Sequence, residues 1–142
     1  MESLAYEIRP YHEDDRDGLL SLWTEIFPAS SPHNNPETSL DKKLHTDPDL
    51  LLVSVMDGRV IGSVMGGYDG HRGWIYSLAV SPSLRRKGIA SALMDAIEEK
   101  LRELGCLKVN LQVLSSNSGV VALYKELGFH VEERISMGKK LY

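Results

Sequence analysis

The period of the apolar positions changes several times along the chain, and each change marks an element. Ile89, Leu93, Ala96, Ile97, Leu101 and Leu104 recur at helical spacing, while Asp95, Glu98, Glu99, Lys100, Arg102 and Glu103 fill the other face. The helix they predict ends at Gly105, a residue suited to a helix terminus. A second stripe, Leu19, Leu22, Trp23, Ile26 and Phe27, follows Asp14 and Asp15, which predicts a helix with carboxylates at its cap and first turn. Asn35-Pro36 reads as N-cap and first residue of a short helix through Leu40 and Leu44. Strand-like runs lie between these segments. Tyr6 to Arg9 predicts a short opening strand, and Leu50 to Met56 and Arg59 to Met65 predict a hairpin closed by Asp57-Gly58, residues that tolerate positive φ. Gly66 to Gly73 is a glycine-dense connection into the apolar strand Trp74 to Val80. Further on, Leu107 to Leu114 predicts a strand, Gly119 to Leu127 a short helix, and Val131 to Leu141 one or two strands that complete the sheet. Pro28 to Pro36, rich in turn formers and without periodicity, is the loop of the N-terminal half.

The segment from Trp74 to Gly105 organises the rest. There an apolar strand feeds a glycine-containing turn that opens directly into the long helix. Such a junction aims unpaired backbone N–H groups at one point, reinforced by the positive end of the helix dipole, and so favours a phosphate. Arg85, Arg86 and Lys87 add cations, Gly88 permits close approach of the backbone, and Ala90 leaves room at the first turn. Three basic residues alone would describe a solvated turn; the flanking strand and helix make the anion reading the stronger one. Neither the P-loop nor the dinucleotide Gly-x-Gly-x-x-Gly pattern is present.

Composition narrows the classes. At 142 residues the chain predicts one domain that buries about two-thirds of its unfolded surface. A net charge of -4, from 16 basic and 20 acidic residues, lacks the basic footprint of a nucleic-acid binder. The single cysteine, Cys106, excludes an internal disulfide framework, suits a reducing cytoplasm and is expected in the core. No apolar run is long enough for a membrane span, and the N-terminus has no signal-peptide pattern, so a cytoplasmic protein is expected. His33 and His45 read as surface or cap residues, and no histidine pair has metal spacing.

Val80-x-Pro82-x-x-Arg85-Arg86-Lys87-Gly88-Ile89-Ala90 resembles the acetyl-CoA-binding motif of the GNAT (Gcn5-related) N-acetyltransferase superfamily, whose core is Gln/Arg-x-x-Gly-x-Gly/Ala. Downstream, Asn117 through Ala122, Leu123, Tyr124 and Leu127-Gly128-Phe129 are similar to the superfamily's next motif, an Asn and then a helix ending in Leu-Tyr-x-x-x-Gly-Phe. The resemblance spans residues 5 to 135 and is strongest from 74 to 129. It implies an α/β (α+β) fold with a mixed, mostly antiparallel central sheet flanked by helices, in a single N-acetyltransferase domain over residues 1–142. The implied activity is acetyl transfer from acetyl-CoA, used as co-substrate without a metal, to a primary amine of a small molecule or peptide.

By the same resemblance, the backbone of Leu78, Ala79 and Val80 pairs with the pantetheine arm, and a main-chain N–H there polarises the acetyl carbonyl. Arg85, Arg86, Lys87, Gly88, Ile89 and Ala90 hold the pyrophosphate. Asn117 bonds the coenzyme's arm or, on the plainer reading, caps a helix. Tyr124 protonates the departing thiolate; an ordinary phenol pKa of about 10 lies slightly above a thiol's roughly 8.5. Related ribosomal-protein alanine N-acetyltransferases carry a glutamate base where this chain has Gln112. An amide takes no proton at neutral pH, so a low-pKa amine or a water chain is favoured. A lysine amine is deprotonated at pH 7 only at a cost of roughly 4.6 kcal/mol, against about 1 kcal/mol for an α-amine. Tyr76 and Asp69 are other base candidates. Asp69, His71 and Arg72 are candidates for acceptor recognition, or form a plain polar loop, and Trp23 and Phe27 are core residues that also stand where acceptor walls lie in the superfamily. A protein N-terminal acetyltransferase and a non-catalytic acyl-CoA-binding module are the alternatives. A homodimer through the final strands is left open.

Overall fold

The structure is a computed structural model that describes residues 4–27 and 34–142. Most of the Pro28–Pro36 loop, with His33, lies outside the described residues. The chain forms two compact units, Met1–Leu111 and Gln112–Tyr142.

Among the described residues of the first unit, β1 (Glu7–Pro10), β2 (Leu51–Met56), β3 (Arg59–Tyr68), β4 (Gly73–Val80) and β5 (Val109–Asn110) form one sheet in chain order. All neighbours are antiparallel except β4 and β5, which run parallel. The expected mixed, mostly antiparallel sheet is therefore present. Asp57 (φ 51) and Gly58 (φ 74) close the β2–β3 hairpin with the left-handed backbone that their residue types favour.

Helices α1 (Arg16–Ile26) and α2 (Pro36–Leu44) cover one face. Leu19, Leu22, Trp23 and Leu40 form a buried cluster there with Leu51, Val53, Met65 and Ala79 of the sheet, each large aliphatic side chain contributing about 2 kcal/mol by its burial. Asn35 caps α2 as its sequence implied, its side chain accepting from Thr38 N at 3.1 Å. The carboxylates ahead of α1 behave differently. Asp15 sits in a 3₁₀ turn and caps no helical N–H; it accepts from Arg9 Nη1 and Nη2 at 2.7 and 3.0 Å and from His12 N at 2.8 Å. A two-pronged charge-assisted pair is stronger than a single cap bond.

Helix α3 (Ile89–Glu103) packs on the opposite face through Ile89, Leu93, Met94, Ile97 and Leu101. It lies close because β3 has glycines beneath it: a Cβ on Gly66 would stand 2.9 Å from Ile97 Cγ1, and one on Gly62 3.1 Å from Leu93 Cδ1. The glycine-dense connection is thus shorter than expected. Gly66, Gly67 and Tyr68 pair with Ile75, Trp74 and Gly73, which leaves only residues 69–72 as the turn.

Two strand expectations need correction. Only Val109–Asn110 of the 107–114 run is a strand, paired with Gly73 and Trp74 of β4; the rest of the run makes no ladder, and a strand persists only where a neighbour takes its hydrogen bonds. In the second unit, α4 (Ser118–Glu126) forms as expected, but residues 131–142 contain no strand. No strand of that unit is available to pair with them, and Val131, Ile135, Met137 and Leu141 are exposed. An isolated two-stranded ribbon in water is marginal at best.

Candidate active site

The central feature is an irregularity in β4. Ser63 pairs with Ala79 and Met65 with Tyr76, so Val64 alone faces both Ser77 and Leu78. One strand carries an extra residue, a β-bulge. Ser77 adopts φ 51, a left-handed backbone that costs a non-glycine residue about 1–2 kcal/mol. Its carbonyl accepts from Ser63 Oγ at 3.1 Å, and Ser63 Oγ accepts in turn from Trp23 Nε1 at 2.8 Å.

Beyond the bulge, β4 has one paired and one open edge. Ser81 N donates to Ile61 O at 2.8 Å, so it faces β3, whereas Val80 O accepts from Arg85 Nε at 3.3 Å on the other side. Backbone groups alternate along a strand, which directs Leu78 with Val80 to that other edge and Ala79 to β3. After Trp74 no described strand pairs with this edge.

A 3₁₀ turn, Pro82–Leu84, leads from β4 into the cationic turn. Arg86 (φ 63) and Gly88 (φ 84) are both left-handed, and the first helical bond runs from Ala92 N to Gly88 O at 3.0 Å. Among the described residues, no group accepts from the N–H of Lys87, Gly88, Ile89, Ala90 or Ser91. Successive N–H groups in such a turn, at the start of a 15-residue helix, make it a candidate anion site. Arg86 and Lys87 are exposed and form no ion pair with a described carboxylate. The open edge at Leu78 and Val80, the cations Arg85, Arg86 and Lys87 and the unaccepted N–H groups of residues 87–91 thus follow one another along a single stretch of chain.

Asn117 and Tyr124 belong to the second unit. Asn117 caps α4, its Oδ1 accepting from Val120 N at 3.3 Å. The C-terminus of α4 explains why Gly128-Phe129 follows the tyrosine. Gly128 is left-handed (φ 96), its N–H donates to Lys125 O at 3.1 Å, and Phe129 N donates to Tyr124 O at 3.0 Å. This is the Schellman closure with its apolar contact: the Phe129 ring meets Tyr124 edge-on, centroids 5.6 Å apart and planes at 71°. The motif thereby fixes the tyrosine, and burial raises its phenol pKa above the ordinary value. In the same unit the Gln112 amide donates to Ser136 Oγ.

The remaining sequence candidates are distributed as follows. Asp69 Oδ1 accepts from His71 N and Arg72 N, both at 2.8 Å, and these bonds hold its carboxyl below the usual range. It ties the 69–72 turn together and is a poor base. Tyr76, on β4, is 49 % exposed, with its phenol pushed up by burial and by the charge of Asp69. Trp23 is only 2 % exposed and belongs to the core, against which Phe27 packs half-buried. Cys106 is buried as expected, its thiol donating to Lys108 O at 3.2 Å, and His45 Nδ1 lies 2.7 Å from Asp41 O. Sequence reasoning missed Ser63 and Ser77. Nothing local marks them, since serine is not a left-handed residue by preference and Trp23 and Ser63 are 40 positions apart. Among the described residues no three His, Cys, Asp or Glu side chains cluster to hold a metal, and no helix is long and apolar enough to cross a membrane.

Residues 16–129 match the acetyltransferase (GNAT) family. An acetyltransferase of Pectobacterium atrosepticum is 44% identical over 135 residues, covering 95% of each chain. The structure of Ard1 from Thermoplasma volcanium superposes with a TM-score of 0.81 at 28% identity, covering 91% of this chain and 85% of the other. The PaiA N-acetyltransferase of Thermoplasma acidophilum, in complex with coenzyme A, shares the fold at a TM-score of 0.79 and 20% identity, over 93% of this chain and 94% of its own. The familial match runs through the bulged strand, the anion turn and α4 alike, and the chain belongs to the acetyltransferase (GNAT) family.

Proposed function

We propose that residues 1–142 act as one catalytic domain that transfers an acetyl group from acetyl-CoA to a primary amine by direct attack on the thioester. The observation that carries this reading is the run of unaccepted N–H groups from Lys87 to Ser91 beside the open edge of β4. Both features need a partner that the described residues do not supply. A pyrophosphate fits the first, with Arg85, Arg86 and Lys87 around it; the amides of a pantetheine arm fit the second, at Leu78 and Val80. Ala79 shares the stretch but pairs with Ser63. Gly88, Ile89 and Ala90 contribute backbone, and Asn117 is assigned to the arm through its side-chain Nδ2–H groups, which donate to no described residue.

In the reaction the amine nitrogen forms a bond to the thioester carbon and the C–S bond breaks. Tyr124 gives its proton to the departing thiolate, the attacking nitrogen releases one to solvent, and solvent reprotonates the phenol. A phenol kept neutral by burial is suited to the donor role. Gln112 supplies no base, which favours an amine that loses its proton at little cost near pH 7, such as an α-amine, over a lysine side chain. The acceptor class follows from that: a small molecule or peptide carrying a weakly basic primary amine.

The test is thermal unfolding of the full chain with and without acetyl-CoA, followed by an amine panel. At about a hundredfold excess over Kd the folded state gains roughly 2.7 kcal/mol, an upward shift of several degrees. Absence of any shift at millimolar acetyl-CoA would remove the proposed coenzyme role. A shift without turnover of any amine would leave a non-catalytic acyl-CoA-binding module.

A further inference from the structure

The buried polar chain Trp23–Ser63–Ser77 lies outside the residues assigned to coenzyme or proton, yet it grips the one strained peptide of β4. Trp23 and Ser63 are 2 % and 0 % exposed. Groups so buried must find partners within the fold. The indole N–H donates to Ser63 Oγ at 2.8 Å, which leaves the hydroxyl one proton, and that proton goes to Ser77 O at 3.1 Å. Each bond in such a chain polarises the next. Ser77 O belongs to the residue at φ 51, and the peptide that follows it is trans. In a trans peptide the carbonyl and the next N–H point in opposite directions. Holding Ser77 O toward Ser63 therefore aims the Leu78 N–H the other way, toward the open edge of β4.

We infer that Ser63, held by Trp23, is a positioning residue that locks the Ser77–Leu78 peptide so that the Leu78 N–H donates to the thioester carbonyl oxygen. The inference rests on the proposed function and adds to it the device that keeps the donor in place. Neither side chain touches the substrate. Without the Ser63 hydroxyl the bulge carbonyl has no partner from the α1 face, and the peptide is free to rotate toward an unstrained backbone and carry the donor away from the carbonyl. Preorganised donors of this kind supply a large share of acyl-transfer rate enhancement, because they need no reorganisation as charge develops on the oxygen.

Acetyl-CoA has the carbonyl and CoA lacks it, so the ratio of their affinities reads the donor directly and requires no knowledge of the acceptor. Calorimetric Kd values for both ligands are measured on the full chain and on its Ser63→Ala and Trp23→Phe variants, with thermal unfolding alongside. The unaltered chain is expected to favour acetyl-CoA by about fivefold, the worth of one hydrogen bond. Ser63→Ala brings the ratio close to one while CoA affinity holds, and Trp23→Phe, which keeps the aromatic ring but frees the hydroxyl to rotate, lowers it in part. A merely structural role would lower the unfolding temperature and leave the ratio alone. Wild-type ratios in both variants overturn the inference, as does an unaltered chain that binds the two ligands equally. If Ser63→Ala does not fold, an unchanged ratio in Trp23→Phe is sufficient to overturn it. Failure of the unaltered chain to bind either coenzyme refutes the proposed function itself, which separates the two claims.

Discussion

Lys43 is the most unusual single residue of the core, an amine on α2 that is 8 % exposed and donates to Gly66 O of β3. Burial lowers its pKa, with the charge of Asp47 acting in the opposite sense. A lysine whose folded pKa lies below its unfolded one binds fewer protons when folded, so stability rises as pH climbs from the lowered value toward the ordinary one near about 10.4. Chemical denaturation across that alkaline window should show the rise in the unaltered chain and lose it in Lys43→Met. Asp15 behaves oppositely. The hydrogen bonds from Arg9 depress its pKa, so its contribution is full above the ordinary aspartate value and fades as pH falls through the folded one. Tyr124 tests chemistry rather than stability. Replacement by Phe keeps the edge-on contact with Phe129 and removes the proton; turnover should fall by about a hundredfold or more while acetyl-CoA still raises the unfolding temperature. Unchanged turnover would take Tyr124 out of the mechanism.

Among the elements, α3 and β3 depend on each other most closely. A side chain at position 66 would meet Ile97 at 2.9 Å, and interiors this dense do not yield without strain. Gly66→Val should destabilise the fold by about 1–3 kcal/mol, read from urea midpoints at constant slope, whereas the same change at Gly119, with nothing near it, should not show this packing penalty. This pair also illustrates what a sequence discloses. The helical stripe of α3, the Asn35-Pro36 start of α2 and the Asp57-Gly58 turn are local signals, and each lies where its pattern implied. The turn at 85–90 and the tyrosine helix were legible because glycine placement and residue order carried them. Strand ends were not. Gly66 and Gly67 look like a loop but belong to β3, Gly66 as floor under α3, and the runs at 107–114 and 131–141 have strand-like composition while their length as strands depends on neighbours that composition does not reveal. The bulge was invisible for the same reason: Ser77 is held left-handed by a hydroxyl from another strand, itself oriented by a helix.

Taken whole, the molecule is acidic, with a net charge of -4, yet it presents Arg85, Arg86 and Lys87 in consecutive positions at the mouth of an anion turn. A polyanionic ligand meets overall repulsion and a local attraction, which act over different distances; the local one survives within a Debye length of about 8 Å at physiological ionic strength. Coenzyme affinity should therefore fall with added salt. Arg86→Gln with Lys87→Gln should weaken it about thirtyfold at low salt and flatten that dependence, since each of the two lost charge-assisted contacts is worth roughly 1 kcal/mol at an exposed site. Equal salt slopes in both proteins would show that Arg86 and Lys87 take no part in holding the phosphate.

The open edge of β4 has one more consequence. Unpaired strand edges are templates for other chains, and natural proteins guard them with charge or with irregular backbone. Here both guards are parts of the candidate site: the bulge at Ser77 disrupts the flat register that a second chain would need, and the three cations stand where the strand ends. The residues proposed for the coenzyme would thus also guard the edge, so a variant that straightens the strand at Ser77 should associate edge to edge as well as lose activity, a change that light scattering on the full chain would read before any assay.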